Sequence, residues 1–340
     1  MHSSELKKFL DYTDKKITPI MKEFLSLYAD KKNKEVIFYQ ISTGGKRLRP
    51  ALAIACCNML GGKEKDVLYP AASLEIFHNY TLIIDDIIDN SNSRRKMPTL
   101  WFKFGKSIAD LVGVDYMASL FEGVYRSKKP REISEILIKA MKGLTDGEIL
   151  DVLFEQDNRD NEPFVRENRY KEITENDYFK MVRKKTAELM EVSCKIGGLM
   201  ADADNKELEL LADYGFNLGM AFQIQDDILD IFGVEKIFGK KIGKDIIEAK
   251  RGNIVILHAL KEFSTKDKKR FLSIFEKKKK TQKEVAEAIR LIKKTKGFLK
   301  ATDIKVNFIK KAKKSLALLP KNKWNDFLTT LAEFVIEREK

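Results

Sequence analysis

Six aspartates in two matching arrangements could bind divalent cations. Asp85-Asp86-Ile87-Ile88-Asp89 and Asp226-Asp227-Ile228-Leu229-Asp230 each place carboxylates at i, i+1 and i+4 within apolar sequence. On a helix the first and last stack on one face, with the second beside them. Like charges this close repel, and burying them among Leu and Ile costs several kcal/mol per ion unless something compensates. A hard divalent cation is the natural compensator. Mg²⁺ takes oxygen ligands, usually one or two carboxylates plus phosphate oxygens and waters. A lone DDxxD reads as readily as a solvated helix face or a cap. A second copy with the same spacing and the same Ile/Leu filler does not. Two such clusters facing each other would hold several Mg²⁺ ions around one highly anionic group.

The cations of the chain suggest what that group is. Lys46, Arg49, Arg94, Arg95, Lys185, Lys241 and Lys250 stand beside Gly-rich breaks or acidic segments. Carboxylates alone repel a diphosphate, and cations alone would bind it without metal. Together they describe metal-bridged recognition of a phosphorylated substrate, with Arg giving bidentate contacts.

The elements that must position these residues are helical. Apolar residues recur at helical spacing, as in Leu74, Phe77, Tyr80 and Ile84. The pattern predicts an amphipathic helix over 5–30, a break at Thr43–Pro50 and a small-residue helix from Ala51 to Leu60, ended by Gly61-Gly62. A long apolar helix from Pro70 to Asp89 delivers the first acid cluster to a loop at 90–98. Helices are expected over 104–126, 131–155, 175–200 and 205–232, the last ending in the second cluster. Residues 156–174 read as polar and irregular at first, residues 232–252 as a Gly/Lys-rich loop, and the remainder as basic amphipathic helix. With few Pro and Gly and no linker, the reading is an all-α chain, 1–340, as a single domain.

Charge is unevenly spread. Residues 261–340 hold 24 Lys/Arg against 10 Asp/Glu, so the net charge of +13 belongs to the C-terminal quarter. Such runs suit solvated helix faces, and a weak peripheral contact with an anionic membrane is the further possibility they raise. No nucleic-acid-binding motif accompanies them, so no nucleic acid partner is expected. Cys56, Cys57 and Cys194 show no disulfide or metal spacing, and no apolar run reaches the ~18 residues of a membrane span, so a cytoplasmic protein is expected.

At this point the chain resembles the trans-isoprenyl diphosphate synthases over roughly residues 40–255. Gly44-Gly45-Lys46-Arg47-Leu48-Arg49-Pro50 resembles the family's GGKRxRP, and Glu75-Ile76-Phe77-His78 its ExxH. Asp85–Asp89 followed by Arg94-Arg95 is similar to its first aspartate-rich motif, and Lys185-Thr186 to its KT pair. Gly219–Asp230 resembles GxxFQxxDDxxD, and Lys241–Asp245 with Lys250 a closing lysine-rich loop. The resemblance implies a helical bundle around a central cavity, usually a homodimer. It implies that isopentenyl diphosphate is held by Lys46, Arg49, His78 and Arg95. The allylic diphosphate would be held by Arg94, Lys185, Thr186, Gln223, Lys241 and Lys250. Mg²⁺ would bridge it to Asp85, Asp89 and Asp226, with Asp86, Asp227 and Asp230 in support.

The resemblance also bears on product length. A bulky residue at Tyr80 stops elongation early in the family, with Phe77 one turn below Thr81. Thr81 is small and Asp85–Asp89 carries no insertion, which favours geranylgeranyl diphosphate over farnesyl diphosphate. Departures from the family stand at Ile84 and Trp101 (commonly His), Lys96 (usually Gly) and Asn253-Ile254-Val255 (usually Thr-Leu-Pro). A terpene cyclase needs no second DDxxD and no Gly44–Pro50 segment. A non-catalytic regulatory partner would have lost one acid cluster.

Overall fold

Apolar residues spaced three and four apart become the inward faces of helices. A computed structural model describes residues 3–156, 159–233 and 242–337. Helices α1 (Ser3–Ser26), α2 (Lys34–Ser42), α3 (Leu48–Met59) and α4 (Glu64–Ile88) come first, followed by a hairpin of β1 (Ser93–Arg94) and β2 (Met97–Pro98). Then come α5 (Leu100–Phe104), α6 (Lys106–Tyr125), α7 (Pro130–Phe154), α8 (Pro163–Asn168) and α9 (Glu175–Val182). A π-helical turn, Arg183–Ala187, leads into α10 (Glu188–Met200) and α11 (Asn205–Phe232). The rest is α12 (Lys244–Ile247), α13 (Ile254–Glu262), α14 (Thr265–Phe275), α15 (Gln282–Ile292), α16 (Gly297–Leu316) and α17 (Lys323–Glu337). Among the described residues, extended chain is confined to the hairpin and a single bridge between Glu155 and Lys250. None of the described helices is long and apolar enough to cross a membrane.

The chain divides into two units: Met1–Ile138 with Met190–Ala212 and Ser315–Leu331, and Lys139–Leu189 with Asp213–Lys314 and Ala332–Lys340. In the first unit α4 is the axis, packed by α1, α3 and α6. Its buried residues point in all directions, among them Val67, Leu74, Ile76, Phe77, Leu82 and Ile83, as suits a helix enclosed by others. The sequence pattern starts this helix at Pro70, yet it begins at Glu64 and runs through the proline. Burial of Val67, Ala71 and Leu74 outweighs the one hydrogen bond that Pro70 cannot donate. Helix α2 was not expected from the sequence. It forms because Ile37, Tyr39 and Ile41 find cover in the unit, and Tyr39 donates to Pro98 O at 2.8 Å.

The end of α4 is set by a Schellman motif. Ser91 N donates to Asp86 O at 2.9 Å, Asn90 N donates to Ile87 O at 3.3 Å, and Asn90 takes the left-handed conformation at φ 49°. This stop hands Asp89 to the loop and turns the chain into the hairpin.

In the second unit Phe154, Tyr178, Ile224, Ile228, Phe271, Phe275 and Ile292 form one core. The π turn sits in a tight notch. A Cβ at Gly219 would lie 2.5 Å from Ala187 Cα, and one at Gly147 would lie 2.6 Å from Lys185 N. Two glycines therefore let α11 and α7 close on the turn that carries Lys185 and Thr186. Such turns recur at functional sites.

Candidate active site

In the first unit, basic groups converge on the loop before α3. Gly44, Gly45 and Arg47 have φ of 84°, 148° and 50°. A Cβ on Gly45 would stand 3.0 Å from Arg95 Nη1 and 3.1 Å from Arg47 Nη1, a tight approach, and the φ of 148° is itself one that glycine adopts most readily. Arg95 donates to Gly44 O. Lys46 is exposed, and Arg49 and His78 are half-buried in the same unit. Burial, reinforced by Arg95, pushes Arg49 down to about 10. Burial and the charges of Arg49, Arg95, Arg94 and Arg47 hold the His78 imidazole well below its usual range, so it is neutral at pH 7. A cluster of this sign, with its cations destabilised by one another, is built for a polyanion.

The three acids of the first cluster are not equivalent. Asp86 is 2 % exposed, and Arg94 grips it through Nε at 2.9 Å and Nη2 at 2.8 Å. Asp85 and Asp89 are half-buried at the end of α4. Trp101 Nε1 and Thr99 Oγ1 both donate to Ser91 O, at 2.9 and 2.7 Å, and fix the loop beyond them. At Trp101, where the family commonly has His, the side chain is thus a loop support.

The hairpin carries strain. Its two turn residues, Arg95 and Lys96, both have positive φ, 53° and 66°, the pattern of a type I′ turn that favours Asn-Gly. An L-residue there costs about 1 kcal/mol, partly offset by the extra chain entropy glycine brings to the unfolded state. Lys96→Gly should therefore stabilise the protein by roughly 0.5 kcal/mol and raise its melting temperature slightly. A lower melting temperature would show that the Lys96 side chain contributes more than the strain costs.

In the second unit a cavity of about 230 Å³ is lined by Asp151, Lys185, Gln223, Asp226, Asp227, Asp230, Lys244, Asp245 and Lys250, among others. Lys185 pairs with Asp151 at 2.6 Å and Glu148 at 2.7 Å. Thr186 Oγ1 donates to Gln223 Oε1 at 2.8 Å, and Gln223 Nε2 donates to Asp227 Oδ1 at 3.0 Å. Asp227 also accepts from Tyr178 Oη at 2.8 Å and Ile254 N at 3.0 Å. Asp230 accepts from Lys244 N at 3.0 Å and Asp245 N at 3.1 Å, the first amides of α12. Burial and the nearby Asp245 raise both Asp227 and Asp230 well above the usual carboxylate range. Asp226 is half-buried and lines the cavity. Lys250 Nζ lies 3.4–3.6 Å from Glu248, Asp151 and Glu155.

The donor set fits Mg²⁺. It offers oxygen only, and three acids are already engaged by protein donors. Among the described residues no three His, Cys, Asp or Glu side chains are grouped closely enough to hold a metal by themselves. Mg²⁺ takes few carboxylates and completes its shell with phosphate and water.

Residues 30–292 match the polyprenyl synthetase family model. The chain is 39% identical to a short chain isoprenyl diphosphate synthase of Methanocaldococcus jannaschii, over 82% of this chain and 83% of that one. A crystal structure of geranylgeranyl pyrophosphate synthetase from Pyrococcus horikoshii superposes with a TM-score of 0.86 at 32% identity, covering 98% of this chain and 99% of that one. A polyprenyl synthase from Caulobacter crescentus, complexed with calcium and isoprenyl diphosphate, superposes with a TM-score of 0.88 at 27% identity, over 99% of this chain and 98% of that one. The chain belongs to the polyprenyl synthetase family.

The residues of the polyprenyl synthetase signatures divide between the two units. Lys46, Arg49, His78, Asp85, Asp86, Asp89, Arg94 and Arg95 lie in the first, and Lys185, Thr186, Gln223, Asp226, Asp227, Asp230 and Lys250 in the second. Lys241 lies outside the described residues. Sequence reasoning missed three participants. Asp151 holds Lys185, and two lysines, Lys185 and Lys250, keep its carboxyl low despite burial. Its signal was an acid inside the apolar turn Ile149–Leu153. Arg47 is buried, and its side-chain partners Asp14, Thr18 and Glu75 are distant in sequence. Asn253 donates to Asp227 O at 3.2 Å and Asp245 Oδ2 at 2.8 Å, while its Oδ1 caps α13 through Val255 N at 2.9 Å. The Asn253 departure from the polyprenyl synthetase pattern therefore anchors the second acid cluster.

Proposed function

We propose that this enzyme is a short-chain prenyltransferase that joins isopentenyl diphosphate to an allylic diphosphate and makes geranylgeranyl diphosphate. The observation that carries the reading is that each DDxxD segment lies beside a cation cluster of its own unit. The charge of Asp85 acts on Arg49 and Arg94 and that of Asp89 on Arg94, while Asp226 lines one cavity with Lys185, Lys244 and Lys250. Lys46, Arg49, His78 and Arg95 hold isopentenyl diphosphate. Arg94, Lys185, Thr186, Gln223, Lys241 and Lys250 hold the allylic diphosphate. Asp85, Asp89 and Asp226 would hold Mg²⁺, whose charge stabilises the diphosphate as its C–O bond breaks. The calcium in the Caulobacter complex supports a hard cation in that role.

As the allylic bond breaks, the lysines and Arg94 offset the charge that grows on the leaving group. Apolar side chains shield the allylic cation from water. The double bond of isopentenyl diphosphate, held in line, attacks it. Neutral His78 donates or accepts a hydrogen bond without adding charge. The proton lost at the end goes to the departing diphosphate.

The polyprenyl synthase domain spans the whole chain in this reading, and the enzyme is a homodimer. In support, the outer face of α6 exposes Ile108, Leu111, Val114, Phe121 and Tyr125, at 40%, 65%, 67%, 39% and 82%. Apolar patches of this kind mark contact surfaces. A monomer mass in solution ends the dimer reading.

Incubation with Mg²⁺, isopentenyl diphosphate and dimethylallyl, geranyl or farnesyl diphosphate, followed by sizing of the product, tests the reaction. No condensation with any primer would overturn it. The two adjacent arginines then divide the substrates. Arg95→Ala is expected to raise KM for isopentenyl diphosphate, and Arg94→Ala to raise it for the allylic substrate, each by about tenfold, the scale of one lost charged contact. Equal loss for both substrates in both variants counts against that division.

A further inference from the structure

Helix α1 lies outside the matched residues 30–292, yet it reaches the signature loop through Arg47. Asp14 Oδ1 accepts from Arg47 Nε at 2.7 Å, and Thr18 Oγ1 accepts from Arg47 Nη2 at 3.4 Å. Thr18 in turn donates to the same Asp14 oxygen at 2.7 Å, which orients that carboxylate. From the other side, Glu75 Oε1 accepts from Nη1 at 3.1 Å. Gly44 O and Ile41 O take further donations, at 3.4 and 3.1 Å.

A guanidinium has five N–H donors. All of those on Arg47 have acceptors inside the protein, and the residue is 2% exposed. Arg47 therefore has nothing left to offer a substrate. Its side chain instead fixes a loop whose backbone is left-handed at Arg47 and of positive φ at both glycines. Lys46 precedes Arg47 in that loop, and Arg49 follows it in the first turn of α3. Two carboxylates balance the buried charge, and one of them belongs to α1. Hydrogen bonds from Thr18 and Arg47 hold the Asp14 carboxyl below its usual range against the effect of burial, so it is ionised at neutral pH.

We propose that Asp14 and Thr18 are positioning residues for the isopentenyl diphosphate arm, acting through Arg47. This makes α1 a working part of substrate binding, and it rests on the reading that Lys46 and Arg49 hold that substrate. A loop released from Asp14 keeps its glycines and its Glu75 contact but samples more than one arrangement. Alignment of Lys46 and Arg49 with a diphosphate then suffers, while the second unit's residues keep their own contacts.

Steady-state kinetics on the full chain test the proposal. Asp14→Asn keeps shape and removes charge, and Asp14 is half exposed, so the variant folds. KM for isopentenyl diphosphate is expected to rise about tenfold, with kcat and KM for the allylic substrate within about twofold of the parent. Thr18→Val should give the same pattern at smaller size, and Asp14→Glu should restore most of the affinity. Lys46→Ala serves as the reference, because it tests the arm directly. If Lys46→Ala leaves KM for isopentenyl diphosphate unchanged, the assignment of the arm fails. If Lys46→Ala raises it and Asp14→Asn does not, the role of α1 fails alone. Equal rises for both substrates in Asp14→Asn, with a lowered melting temperature, would make the contact a purely structural one and overturn the proposal. In the double variant Asp14→Asn/Lys46→Ala, KM should rise by less than the product of the single effects, since both act through one loop.

Discussion

Asp226→Ala is expected to lower turnover at least ~10²-fold while leaving the protein folded, and Asp85→Ala should do the same. Both side chains are half-buried at the ends of their acid helices, among like charges. Removing one relieves repulsion in the metal-free protein, so its melting temperature should hold or rise. Asp227→Ala makes the contrast. Its carboxylate satisfies Tyr178 Oη, Gln223 Nε2 and Ile254 N in a buried setting. Truncation leaves those donors without an acceptor, at about 1–3 kcal/mol for a buried orphan. Asp227→Ala should therefore melt several degrees lower, whatever its rate. Calorimetry and single-turnover kinetics on the three variants separate the two kinds of acid. Near-normal turnover in Asp226→Ala or Asp85→Ala would sink the metal assignment, and an unchanged melting temperature in Asp227→Ala would sink the structural one.

That contrast shows where the sequence was legible. Spacing placed both clusters at helix ends because i, i+1 and i+4 is a local property of one helix. It also put Asp226 and Asp230 on one face as equivalents. The structure separates them, because the amides of Lys244 and Asp245 draw Asp230 into a cap. No local pattern announces a cap donated from a helix fourteen residues further on. The hairpin at Ser93–Pro98 was invisible for a related reason: its turn is Arg95-Lys96, with no Asn or Gly to signal positive φ. The π turn at Arg183–Ala187 arises from close approach to Gly147 and Gly219, which are remote in sequence. Arg47 reads from the sequence as one more loop cation. Only the positions of Asp14, Thr18 and Glu75 identify it as a clamp.

Phe77→Ala with Tyr80→Ala should lengthen the product by one or more isoprene units. In the first unit Phe77 is 2% exposed, and its ring stacks on Tyr80 with centroids 6.5 Å apart. Tyr80 is half-buried, and burial raises its phenol above the usual range. Opposite it on α6 stands Gly113, where a Cβ would come within 3.6 Å of the Tyr80 ring and 3.5 Å of Ile84 Cδ1. Thr81 turns its hydroxyl back onto His78 O at 2.8 Å and adds little bulk. If the growing chain runs from Asp85 along α4 toward its N-terminus, the stacked pair is the first wide obstacle it meets. Removing both rings opens volume along that path. The buried Phe77 carries most of the cost, about 3–5 kcal/mol for Phe→Ala, so the double variant is less stable. Tyr80→Ala alone disturbs the core less and should shift the product in the same direction by a smaller amount. Chromatographic sizing of the dephosphorylated products reads the outcome. If both variants fold and turn over yet give the parent's product distribution, the stacked pair is core packing and the limit on chain length is set by other residues.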